Sequence, residues 1–427
     1  MKKLINSPVF SNIFWLFLDK GYGALLTLYI YAKMAIYFGT STFGIWNYII
    51  SFGSLLPAVA SLGLNYIIVK RLKSNPLLAN KILSLSFYLR LFTGFITAII
   101  LFIAYAIVNI NFNSDLILVI ILLFSSQIVL NSNIYIQKNE ANLENRRTVI
   151  ARSVSLTLFF VLKLLAIQWG LDIVYFALLV LLEYVLFFII IRINEEHKLT
   201  LPSSYIRKKI TPSLLKEGFP LMLAAITTTL YLKIDQLFIA SFTNNNDVGI
   251  YAASARISEF LYAVPVIISN VFFPKIIKAL NKVDIDKLLY QMFAIVLMLS
   301  FISVLLITSF SEIIIDVMYG EEYTQASEVL KIHAWSIILM SLLVTSSKYI
   351  LKINRQDIIF KRELMGLATN LILNFLLIPI YGISGAAWAT LISYSVSSFF
   401  SNFFFKDTRP LIKKQILSIY YLVKEGL

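Results

Sequence analysis

The chain has 427 residues, 59% hydrophobic and only 14% charged, with 37 Lys and Arg against 23 Asp and Glu for a formal net charge of +14. A soluble domain carries about a quarter charged residues, so this composition and a mean hydropathy of +0.81 exclude an ordinary soluble fold. There is no cysteine, which excludes a disulfide frame and thiolate metal sites.

Apolar runs long enough to cross a bilayer recur from Phe10 almost to the end. In the first half the expected spans are Phe10–Tyr37, Phe43–Tyr66, Ile82–Val108, Leu116–Ile136, Thr148–Gln168 and Ile173–Ile191. In the second half they are Phe219–Phe242, Val248–Phe273, Leu288–Phe310, Val329–Ile350, Ile358–Pro379 and Ser384–Phe405. The fold class expected is therefore an all-α polytopic membrane protein with twelve transmembrane helices. Residues 1–193 and 217–406 form two six-helix bundles, 194–216 a cytoplasmic linker, and 407–427 a cytoplasmic tail that reads either as an amphipathic helix or as a solvated end. The start, Met1-Lys2-Lys3 with Ile5-Asn6-Ser7 after it, lacks a cleavable signal pattern, so the first span is expected to act as an uncleaved insertion signal.

Loop charge sets the expected orientation. Lys70, Arg71, Lys73 and Lys81, then Lys138, Arg146 and Arg147, then Arg192 to Lys216, fall on one side together with Lys275–Lys287 and Lys348–Arg362. The alternate loops carry Asp115, Asp172, Asp247, Glu312, Asp316, Glu321 and Glu322. The positive-inside rule makes the basic side, with both termini, cytoplasmic. The basic excess thus reads as topology and contact with membrane lipids, and no basic segment stands apart to bind nucleic acid.

The halves echo each other. Gly44-Ile45-Trp46 and Gly249-Ile250-Tyr251 open the second and eighth spans, and Pro57 and Pro265 follow in both. Tyr135-Ile136-Gln137-Lys138 matches Tyr349-Ile350-Leu351-Lys352 at a similar offset. Six spans per copy makes these parallel repeats, able to enclose a central cavity. Pro57 and Pro265 read as hinges or as plain packing kinks.

Charges inside the spans point to transport. An ionisable group near the bilayer centre costs roughly 2.5–3.5 kcal/mol, yet Asp19, Lys20, Lys33, Arg90, Lys233, Asp235, Arg256 and Glu259 all lie within the spans. Thr228, Tyr231 and Asp235 share one helix face, whereas Lys233 is expected to point toward Thr229 and Gln236. Structural alternatives stand beside these readings. Lys33 and Lys163 lie near span ends and can snorkel, Arg256 and Glu259 can neutralise each other, and Glu183 and Lys331 can pair within their own bundles.

Asp235-Gln236-Leu237-Phe238-Ile239-Ala240, then Val248-Gly249-Ile250-Tyr251-Ala252-Ala253-Ser254-Ala255-Arg256, then Pro265 and Phe273-Pro274, resembles the polysaccharide-repeat flippases. These are the Wzx-type O-antigen transporters of the multidrug/oligosaccharidyl-lipid/polysaccharide (MOP) exporter superfamily, whose fold is MATE-like. Asn370…Asn374 with Ile378-Pro379-Ile380-Tyr381-Gly382 and Ser384-Gly385-Ala386-Ala387 is similar to the family's eleventh-to-twelfth span signature. The resemblance implies transfer of an undecaprenyl-pyrophosphate-linked oligosaccharide from the cytoplasmic to the outer leaflet of a bacterial inner membrane. It also implies contact with a polysaccharide polymerase and a chain-length regulator.

Such cargo needs cations for pyrophosphate, for which Arg is best suited, and hydroxyl or aromatic groups for sugar. The expected cations are Arg90, Arg256, Lys20, Lys233 and Lys33. Asp235, Asp19 and Glu259 are the coupling or cavity carboxylates, and Tyr231, Tyr262 and Thr228 the sugar contacts. No cofactor or metal is expected: His333 near Lys331 reads as a packed polar residue, and His197 lies in a cytoplasmic loop. No phosphate-cradling Gly-rich loop with its Lys occurs, so enzymatic catalysis and direct use of ATP are not expected. A multidrug-type antiporter of the same fold is the alternative. A membrane-embedded polymerase or glycosyltransferase is disfavoured by the short outer loops.

Overall fold

The computed structural model describes residues 8–74, 76–108, 114–193, 195, 199–200 and 203–425. His197, the first seven residues and parts of the linker lie outside them. The helices are α1 (Pro8–Gly53), α2 (Leu55–Ala60), α3 (Leu64–Ser74), α4 (Ala79–Val108), α5 (Ser114–Ser132), α6 (Tyr135–Asn142), α7 (Asn145–Gln168) and α8 (Ile173–Ile193). They continue with α9 (Ser204–Phe242), α10 (Asn245–Leu261), α11 (Ala263–Lys278), α12 (Lys282–Tyr319), α13 (Ala326–His333) and α14 (Ser336–Lys352). The last are α15 (Gln356–Ser395), a π-helical turn over Val396–Phe400, α16 (Ser401–Phe404) and α17 (Arg409–Glu425). Lipid offers backbone groups no partners, so helix is the form that satisfies them within each crossing.

Among the described residues, ten helical stretches are long and apolar enough to cross a membrane. Two of them, Leu18–Ser74 and Gln356–Phe404, have 57 and 49 residues, more than twice the length of one crossing. Each bends at a glycine with positive φ, Gly39 at 69° and Gly382 at 55°, a conformation that a Cβ disfavours. Counting two arms in each gives the twelve crossings expected, in a multi-pass membrane protein.

The same break recurs in the second and eighth crossings. α1 ends at Gly53 and α2 begins at Leu55, with Pro57 its third residue; α10 ends at Leu261 and α11 begins at Ala263, with Pro265 its third residue. Each proline lacks the N–H that would bond the carbonyl four residues back, at Gly53 or Leu261. The repeated motif Gly44/Gly249 acquires a packing role as well. A Cβ on Gly44 would lie 1.7 Å from the Asn245 carbonyl oxygen, and one on Gly249 would lie 2.2 Å from that of Thr40. Only glycine permits these two backbones to meet.

The chain forms two compact units. The first comprises the described residues of Met1–Tyr37 and Ile49–Leu230; the second comprises Phe38–Tyr48 and the described residues of Tyr231–Leu427. In the first unit, Leu64, Ile67, Ile68, Leu83, Leu85, Ile134 and Leu214 form one buried cluster, and Tyr135, Ala151, Phe187 and Ile191 another. In the second, Ile276, Leu289, Met292, Phe293, Leu342 and Leu411 pack together.

The last helix departs from a solvated tail. α17 packs along α12, burying Leu411, Lys414, Gln415 and Ser418 while Ile416 and Tyr420 remain exposed. The inward side thus combines Leu411 with three polar residues, and the outward side mixes Arg409 and Lys413 with Ile416 and Tyr420. Lys414 lies 3.0 Å from Asp286 on α12. Gln415 donates to Ser346 Oγ (2.9 Å) and to the Ser398 carbonyl (3.1 Å). The fully buried Arg362 donates to the carbonyls of Ser397 (2.8 Å) and Ser398 (3.1 Å). These donors satisfy carbonyls of the π turn.

Candidate functional site

A buried polar cluster of the second unit forms where stripes from several helices meet. Tyr231 and Asp235 lie four apart on α9; Tyr251, Ala255 and Glu259 follow at fours on α10, with Tyr262 three further; Thr390 and Tyr394 lie four apart on α15. Each spacing keeps its members on one helix face. Together with Leu232, Gln236 and His333 of α13 they line a small cavity with room for about one water molecule.

Asp235 is buried and holds three neutral donors. Tyr251 Oη donates to its Oδ2 at 2.8 Å, Asn374 Nδ2 to its Oδ1 at 2.6 Å, and Thr390 Oγ1 to Oδ2. All three donors are themselves buried. An ionised carboxylate is an acceptor only, and this arrangement supplies it with donors. No Lys or Arg among the described residues lies within ion-pair distance of Asp235. The carboxyl is thus met by three side-chain dipoles and, among the described residues, by no protein cation.

Lys233 reaches Glu259, at 3.3 and 3.5 Å from its two oxygens, instead of Thr229 and Gln236 as expected. Two positions along a helix is a turn of about 200°, so Lys233 cannot serve Asp235, and its long stem spans to α10. Glu259 thereby takes its hydrogen bonds from Lys233, and both side chains are 23% exposed. Arg256, half-buried, lies on the same helix one turn before Glu259.

The tyrosines expected to meet sugar are occupied within the unit. Tyr231 Oη lies 3.2 Å from Ser397 Oγ, and Tyr262 Oη lies 2.6 Å from Ser336 Oγ. Thr228 is half-buried and bonds back to the Ala224 carbonyl at 3.0 Å.

In the first unit, Arg90 is buried at 1% exposure. It donates to Asn65 Oδ1 (2.8 Å), Gln137 Oε1 (3.2 Å) and the Asn131 carbonyl (3.2 Å), the last next to the break between α5 and α6. Asp19 pairs with Arg152 at 2.7 Å. Lys20 is exposed, and Lys33 is exposed with its ammonium 5.6 Å from the Tyr29 ring centre. Lys163 does not snorkel: it meets Glu183 at 2.6 Å, with both side chains largely buried. Lys331 pairs with Glu312 at 2.7 Å in an exposed position.

The structure thus brings Asp235, Glu259, Lys233, Tyr231 and Tyr262 together in one unit, and Arg90, Asp19, Lys20 and Lys33 belong to the other. Sequence reasoning missed the partners Tyr251, Asn374 and Thr390, and also Arg152 and Arg362. The four-residue spacing of Asn370 and Asn374 in an apolar run was the available signal, since two amides on one helix face ask for polar company.

The profile of the polysaccharide biosynthesis protein family matches residues 34–328. The chain belongs to this family. Within 171 aligned residues it is 28% identical to a probable low-salt glycan biosynthesis flippase, Agl15, of Haloferax volcanii, covering 39% of this chain and 36% of that protein. The alignment thus spans little more than a third of that relative's length. Among solved structures, the lipid II flippase MurJ in an inward closed conformation superposes with a TM-score of 0.70 at 16% identity, over 96% of this chain and 92% of that one. An inward-facing multidrug resistance MATE family transporter of the MOP superfamily gives 0.71 at 16% identity, over 91% and 95%. This polysaccharide biosynthesis family member therefore has the MOP fold.

Proposed function

We propose that this family member is a flippase for lipid-linked oligosaccharides, carrying undecaprenyl-pyrophosphate-linked repeat units of an O-antigen or related surface polysaccharide. The repeat moves from the cytoplasmic to the outer leaflet of a bacterial inner membrane, with both chain termini cytoplasmic. The family match and the name of the Haloferax relative support the cargo class. Two six-helix halves, 1–193 and 217–406, rock about the breaks at Pro57 and Pro265, exposing the cargo site to each side in turn. The polysaccharide polymerase and chain-length regulator receive the flipped product.

The observation that carries the reading is the uncompensated carboxylate of Asp235, set among Tyr251, Asn374 and Thr390 within a crossing. A buried charge is costly unless paired, so this site suits a coupling cation whose binding and release drive the cycle. Arg256 and Lys233, half-buried beside Glu259, supply the cations for pyrophosphate. Arg90, held by three partners, joins them only on a rearrangement of its unit.

The test uses proteoliposomes with a fluorescent polyprenyl-diphosphate glycan, scored by its accessibility to an external lectin or quencher. Wild-type protein moves the label between leaflets and D235N loses gradient-driven movement. Transport of cationic dyes with no movement of the glycan would replace this reading by the antiporter one.

A further inference from the structure

His333 closes the last turn of α13, 4% exposed, and lines the same small cavity as Asp235 and Glu259. Its Nδ1 has no hydrogen-bond partner among the described residues. The Tyr251 ring meets the imidazole edge-to-face at 6.0 Å and 86°, and the same tyrosine donates to Asp235. The groups facing the imidazole come from every side. α9 brings Asp235 and, through its pair with Glu259, Lys233; α10 brings Tyr251 and Glu259, with Arg256 one turn before Glu259 and acting on it; Tyr262 stands at the break before α11, and α15 brings Thr390 and Tyr394. α14 contributes Ser336, whose hydroxyl donates to the His333 carbonyl at 2.5 Å. α12 presents Glu312 to Lys331, and Asp316 and Glu328 line an outer groove with that pair, away from this cavity.

The cavity is too small for a sugar or a phosphate. It holds two carboxylates and one imidazole, and among the described residues Lys233 pairs with Glu259 at the more exposed rim while no Lys or Arg pairs with Asp235. Imidazole is the side chain whose ordinary pKa, about 6.5, places its charge change within the physiological range. We propose that His333 is the proton-carrying group of this transporter, and that anionic cargo controls its protonation through the Lys233–Glu259 pair.

When a pyrophosphate takes Lys233, Glu259 loses the cation that hydrogen-bonds it, keeps only the influence of Arg256, and more of its charge falls on the imidazole. A proton from water then binds at Nδ1, and the resulting imidazolium offsets one of the two carboxylate charges. Release of the cargo returns Lys233 to Glu259 and the proton to water. By linkage, protonation of His333 strengthens cargo binding by the same factor as cargo strengthens protonation. The inference rests on the flippase reading for the identity of the cargo, while the titration it requires does not.

The chain has only two histidines, so H197Q protein labelled at its imidazole nitrogens reports His333 alone. Its NMR resonances, followed in detergent, are expected to titrate between about pH 5 and 8. D235N and E259Q each move the midpoint down, and K233Q moves it up, by about one unit or more. Inorganic pyrophosphate moves the midpoint of the otherwise unaltered protein up. A resonance that does not change with pH, or a midpoint fixed in all three variants, overturns the proposal. In proteoliposomes, H333Q is expected to lose stimulation of glycan movement by a pH gradient. Undiminished stimulation in H333Q also overturns the proposal. Absence of glycan movement by wild-type protein, with the titration behaving as described, refutes the flippase reading and leaves the proton site standing.

Discussion

Lys163 and Glu183 offer a quantitative check on how this protein holds charge in lipid. They join α7 to α8 at 2.6 Å, with side chains 10% and 13% exposed. At an effective dielectric of about 20, unit charges at this separation attract by roughly 6 kcal/mol, most of it spent on removing both from water. The pair as a whole is therefore near neutral for stability, whereas either charge alone is not. K163M leaves Glu183 buried and unpaired, at a cost of about 3–5 kcal/mol. For a unit of this size that is a fall in Tm on the order of 10 °C. The double variant K163M/E183L removes both charges and is expected to return to within about 1–2 kcal/mol of wild type. Thermal unfolding of purified protein in detergent, on wild type, both single variants and the double, closes the cycle. A K163M protein as stable as wild type would refute the reasoning, because it would mean that Lys163 snorkels to the headgroups and that Glu183 is solvated without it.

Other consequences concern transport directly. T390V and N374L each remove one hydrogen bond to a charged acceptor, worth about 1.5–3 kcal/mol; both are expected to lower gradient-driven flipping about tenfold or more, read from initial rates in proteoliposomes. R256Q is expected to block surface polysaccharide assembly while the protein still inserts. R90Q, which strips three partners of a buried guanidinium, is expected to lower the unfolding temperature as well; full activity in both would remove the claim that these cations serve the cargo. G44V forces a side chain into the Asn245 backbone and is expected to abolish transport, with G249V behaving alike. Q415L leaves polar groups of α14 and the π turn short of a donor and is expected to lower stability by about 1–3 kcal/mol, measured by thermal unfolding.

Much of the architecture was legible in the residues because it is written locally. Hydropathy found the crossings, and the repeated Gly-Ile-aromatic and mid-span proline pointed to the second and eighth as counterparts. The structure gave those prolines the same place in both, third in a new helix after a one-residue break. Where the sequence left two readings open, packing chose. Lys163 has a partner and does not reach for the surface; Lys233 serves Glu259; the tail is a helix that buries Lys414, Gln415 and Ser418 together with Leu411.

The charge at Asp235 was visible from the start as an ionisable group inside an apolar run, and the residues around it carried the family resemblance. Its surroundings were not visible. Tyr251 lies 16 residues from Asp235, Asn374 lies 139 away and Thr390 lies 155 away. Helical spacing fixes which residues of one helix share a face, and so foresaw the stripe on α9. Which stripe faces which is decided by helix packing, and only that converted three stripes and a histidine into one cavity.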